Sequence, residues 1–174
     1  MFEANVQTDT AGNLPIARID GYAGGKPILA FLMTTLAGCA ARPESRAAAE
    51  LDRFSQAARL AVCAVCADLM RATINSGWDY CEGEDYQSYV RRTGDLALGE
   101  EAFLAGARHY HAAWTDIEVL IARVQALIVL LETAPAPDHP DLMAHSVAPE
   151  FRALHDTLAV AMQRGARQAR LAIF

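Results

Sequence analysis

Lysine is almost missing from this chain of 174 residues, where Lys26 stands alone against fourteen arginines. A GC-rich coding sequence, of the kind found in many bacteria, accounts for that ratio better than a function does. Motifs of common catalytic sites are missing too: there is no Gly-rich phosphate loop, no Gly-x-Ser-x-Gly elbow and no His-Glu-x-x-His pair. Gly21-Tyr-Ala-Gly24-Gly25-Lys26 has neither the spacing of a phosphate cradle nor a hydroxyl after the lysine. These absences point away from an enzyme, and no cofactor is expected. A net charge of −6 without a dominant basic face also argues against nucleic acid as a partner.

What is present suits one folded domain. Apolar residues make up 53% of the chain and charged residues 21%, so a core can form without staples. The apolar content leans on alanine, which favours helix over sheet. The expected fold is all-α: an antiparallel bundle of about four principal helices over residues 26–174, preceded by an irregular segment at residues 1–25, where Pro15, Gly21, Gly24 and Gly25 interrupt any period.

The helices follow from apolar spacing. A first is expected from Pro27 to about Ala41, ending before Arg42-Pro43. A second runs from about Glu44 to Asn75 on the stripe Leu51, Phe54, Ala58, Val62, Val65, Leu69 and Ala72. A short helix begins after Asp85 as N-cap and closes at Thr93-Gly94. The longest is expected from Gly99 to Thr133, because Phe103, Ala107, Tyr110, Trp114, Ile117, Ile121, Val124, Ile128 and Leu131 step by four and three without a break. Leu120, Leu127 and Leu130 widen its apolar side, so it should be surrounded rather than merely paired. The last helix starts near Pro149-Glu150, and its stripe extends through Gly165, Ala169 and Ala172. Arg164, Arg167 and Arg170 would then complement the dipole at its end.

Three groups of residues offer chemistry. Between the helices, Trp78, Tyr80, Tyr86 and Tyr89 alternate with Asp79, Glu82, Glu84 and Asp85. Aromatics supply contact area at low entropic cost and carboxylates steer basic partners, so this connection is the candidate for binding a protein partner or a second copy. Its bland reading is a set of rings capping one end of the bundle. Cys63 and Cys66, with Cys81 as a nearby third thiol, could ligate a metal or cycle as a redox pair. Their place in mid-helix favours small buried thiols instead, and an i, i+3 disulfide would be strained there. Finally, Lys26, a short apolar stretch and Leu36-Ala37-Gly38-Cys39 resemble the end of a lipoprotein signal, with Cys39 as the lipid acceptor. That stretch is too short to span a bilayer, and Glu3, Asp9 and Asp20 precede it where a short basic region belongs. The leading expectation is therefore a non-enzymatic cytoplasmic protein acting through protein–protein binding, as an adaptor, inhibitor or assembly subunit. The alternatives are a thiol or metal bundle and a periplasmic lipoprotein, the one case in which a membrane is a partner.

Overall fold

A computed structural model of the chain describes residues 4–10, 17–18, 31–32, 51–75, 80–81, 83–135 and 147–173. Its elements are, in order, β1 (Ala4–Thr10), β2 (Ala17–Arg18), α1 (Gln56–Arg71), β3 (Thr73–Asn75), α2 (Tyr86–Thr93), α3 (Glu100–Ala112), β4 (Thr115–Asp116), α4 (Ile117–Thr133), α5 (Ala148–Gln163) and β5 (Ala166–Ile173). Helices predominate, but a five-stranded sheet joins them, and this corrects the all-α bundle.

Strand β5 is the centre of that sheet. On one side it runs antiparallel to β1, from Ala4 opposite Ile173 to Thr10 opposite Ala166, with a register shift between Thr8 and Thr10. The short β2 continues the sheet beyond β1. The other side of β5 is shared: β3 pairs in parallel with Leu171–Ile173, and β4 pairs antiparallel at Ala169 and Gln168. The stretch Gly165–Ala172 is thus not the end of the last helix. That helix stops at Gln163, and Gly165 turns the chain at φ +94° before the strand begins. A side chain other than glycine rarely adopts that angle. The strand escaped notice because Ala166, Ala169, Arg170 and Leu171 are all buried, and burial on both faces erases a period of two.

Three further boundaries move for related reasons. The expected Gly99–Thr133 helix is two helices, with Ala113 closing α3 and Thr115-Asp116 forming β4. The apolar spacing crosses the break undisturbed, although Thr115-Asp116 before an apolar run is itself a helix-start signal. Helix α1 begins at Gln56, where Ser55 caps it by accepting the Ala58 N–H at 3.3 Å, and β-branched Thr73-Ile74 leaves the helix for β3. The N-terminal segment is not irregular throughout, since it supplies β1 and β2.

The main core lies among α1, α4, α5 and β5. Val62, Cys66 and Leu69 meet Leu120, Val124 and Leu127, while Phe151, Leu154 and Leu158 close the other side. Phe31 and Leu32 are helical, buried in the same core, and Phe31 packs edge-on against Phe151 with ring centroids 5.9 Å apart. The rest of the expected first helix, Cys39 included, lies outside the described residues. Cleavage before Cys39 would remove both core residues. At the end of α4, Arg53 donates to the Leu131 and Pro135 carbonyl oxygens at 3.1 and 3.2 Å, satisfying acceptors that a helix terminus leaves open.

Candidate binding surface

The acidic-aromatic connection and the helix after it form a hairpin, α2–α3, built around one ring. Asp85 occupies the N-cap of α2 and accepts the Ser88 N–H at 2.8 Å. That bond, the largest of several, holds its carboxyl below its ordinary value of 3.8. At the other end Gly94 takes the left-handed conformation, φ +71°, and returns its N–H to the Val90 carbonyl. The short helix and both its caps are therefore where the sequence places them. Beyond it, Tyr89 donates its hydroxyl to Asp95 at 3.0 Å, and Asp95 in turn accepts the Ala97 N–H at 2.9 Å. These bonds shape the turn into α3.

The rings converge on Phe103, the single buried side chain of α3. Tyr80, Tyr86 and Tyr89 lie 5.7, 5.7 and 5.1 Å from it, centroid to centroid. Tyr80 also contacts Tyr110 at 5.1 Å, and its hydroxyl is 3.3 Å from His111 Nε2. Edge and tilted contacts at these distances are the favoured geometries of aromatic pairs. Three of the four candidate rings thus make a small aromatic core, while Trp78 lies outside the described residues, as do Asp79 and Glu82.

The carboxylates are engaged as well. Glu84 accepts both Arg92 Nε at 2.9 Å and Arg92 Nη2 at 2.7 Å, a two-pronged pair. It also accepts the Cys81 N–H at 3.3 Å. The Arg92 guanidinium holds the Glu84 carboxyl below its ordinary 4.5, against an opposing effect of burial. With its side chain 9% exposed, Glu84 serves the hairpin rather than a partner. Beside exposed charged residues such as Arg91, Glu100, Glu101 and Arg108, the hairpin presents two aliphatic side chains: Leu96 is 73% and Leu104 48% exposed.

A second feature, missed in the sequence, ties the hairpin to the sheet. Arg170 on β5 is 1% exposed, yet carries a cation. Its guanidinium lies 4.0 Å from the Tyr110 ring centroid and 4.4 Å from that of Trp114. It also donates to the Tyr110 carbonyl at 2.9 Å. That carbonyl belongs to the last turn of α3, where acceptors are unsatisfied and the dipole is negative. Arg170 does complement a helix dipole, but of α3 rather than of the helix preceding it. Nearby, His109 Nε2 donates to the Thr73 carbonyl at 2.7 Å and links α3 to β3. Neither contact has a short-range signature, because each joins residues far apart in the chain.

Cys63 is half-buried and Cys66 buried within α1, while Cys81 is exposed. Among the described residues no group of three or more His, Cys, Asp or Glu side chains is placed to hold a metal ion. Among them, too, no helix is long and apolar enough to cross a membrane. No protein-family model matches the chain, and no curated protein or solved structure matches it either.

Proposed function

We propose that the protein acts by binding another protein and that the α2–α3 hairpin is the element presented to it. The observation behind this reading is the exposure of α3, which buries Phe103 alone and leaves Leu104 and the adjoining Leu96 in solvent. A helix of 13 residues gains little stability by itself in water, where such lengths are marginal. An apolar partner surface would supply burial that the described residues do not. Glu84 is tied to Arg92 and Asp85 caps α2, so on this reading the exposed leucines rather than these two carboxylates carry the contact. On this reading the α1, α4 and α5 layer is scaffold.

Affinity capture from the source cells, read by mass spectrometry, tests it. The wild-type chain should retain a defined partner, and the pair Leu96→Asp and Leu104→Asp should lose it. Exposed substitutions of this kind change stability by about 0.5 kcal/mol or less, so the melting temperature should barely move. Equal retention by wild type and variant, or no partner at all, would contradict the proposal.

A further inference from the structure

Helix α4 carries apolar residues on its outward side as well as its inward one, although Glu118, Gln125, Glu132 and Thr133 are exposed there too. Its inward side is buried through Ile117, Leu120, Val124, Leu127, Ile128 and Leu131. Its outward side is partly exposed: Val119 is 40% and Val129 47% exposed, and Ala122 and Ala126 are exposed between them. These four residues are spaced by three, four and three, which is the a/d spacing of a coiled-coil seam. The same helix thus carries two seams, one filled by its own chain and one in solvent.

The charges beside the outer seam indicate what fills it. With Val119 and Ala126 at a and Ala122 and Val129 at d, the g positions are Glu118, Gln125 and Glu132, and the e positions are Arg123 and Leu130. In a parallel pair each g residue meets the e residue five positions further along its partner. Glu118 of one copy would then face Arg123 of the other, twice by symmetry. An antiparallel pair would instead bring Glu118 towards Glu132, which Arg152 already holds at 2.7 Å, and would set no carboxylate opposite Arg123. Arg123 is available for this role: its side chain is 30% exposed, and it holds Asp68 on α1 only at 3.7 Å. A guanidinium has five donors and can serve both carboxylates. Alanine in the middle of the seam permits a close helix approach, and valine closes each end.

We infer that the outer face of α4 binds a second copy of this chain, with the two helices parallel about a twofold axis and Glu118–Arg123 pairs flanking the seam. This does not rest on the hairpin reading, and the two are tested by substitutions on different helices. Two heptads bury less than the ~1,200 Å² typical of stable interfaces, so the dimer is a weak, reversible one.

Sedimentation equilibrium of the full chain across the micromolar range provides the test. Wild-type protein should pass from monomer to dimer, and Ala126→Glu should raise the dissociation constant by about tenfold or more. Val129→Lys should do the same, and melting curves confirm that each variant is folded. Glu118→Arg and Arg123→Glu should each weaken the dimer, and the two together should restore it. A wild-type chain that stays monomeric, or a dimer indifferent to both seam substitutions, overturns the inference. Failure of the charge swap to restore association overturns the parallel register.

Discussion

The α1–α4–α5 layer over β5 and the α2–α3 hairpin hold themselves together with different side chains. In the layer the work falls to branched aliphatics, with Val62, Leu120, Val124 and Leu127 all fully buried. Such side chains interlock at near-crystalline density, so one opening exposes the whole. In the hairpin, tyrosine rings lean on Phe103, and polar and charged side chains make the corners: Glu84 with Arg92, Tyr89 with Asp95. Only Tyr89 in α2 and Phe103 in α3 are buried. The layer should therefore be a global unit, and the hairpin a local one that opens at lower cost. Elements that bind partners are drawn from that less stable end of a structure.

The largest effect expected is in the layer. Leu127→Ala leaves a cavity where no side chain can collapse freely and should cost about 3 kcal/mol. In urea this would appear as one cooperative transition at lower midpoint, with α-helical and aromatic signals moving together. A smaller effect belongs to the junction between the two regions. Arg170→Met keeps the length of the side chain but removes the cation between Tyr110 and Trp114 and orphans the Tyr110 carbonyl. A loss of about 2 kcal/mol is expected. Hydrogen exchange should show it mostly in α3, and a loss spread evenly over α4 and α5 would break the division into two regions.

The smallest is at the cap of α2. Asp85→Ala removes the acceptor for the Ser88 N–H and should loosen the hairpin alone. Glu84 and Asp85 are held below their ordinary values in the folded state. Their contribution is complete above the ordinary values of 4.5 and 3.8 and is lost as pH falls through the lowered ones. The hairpin should accordingly loosen in acid before the layer does, and Asp85→Ala should blunt that sensitivity. Tyrosine fluorescence followed below neutral pH would check it.

Where the causes are local, the sequence is readable. Asp85 and Gly94 fix α2 because an N-cap and a left-handed C-terminal residue act within one turn. The core stripe of α4 is readable too, since its period is carried by the helix itself. The sheet is another matter: β5 meets β1 from the opposite end of the chain, and its alanines read as helix. The break at Ala113–Asp116 is hidden by an apolar rhythm that both helices happen to continue. At the hairpin, the rings and carboxylates are conspicuous in sequence, but not their partners. Glu84 lies before its helix and reaches Arg92 eight residues on, outside the four-residue spacing of helical ion pairs. Phe103 reads as one position in a seam, and only the folded chain makes it the hub of three tyrosines.

Native-state hydrogen exchange on the wild-type protein addresses the central comparison most directly. Amides of α2 and α3 should exchange through an opening of lower free energy than those of α4, while the α4 amides report global unfolding. Equal protection in the hairpin and in α4, lost together under every condition, would contradict it.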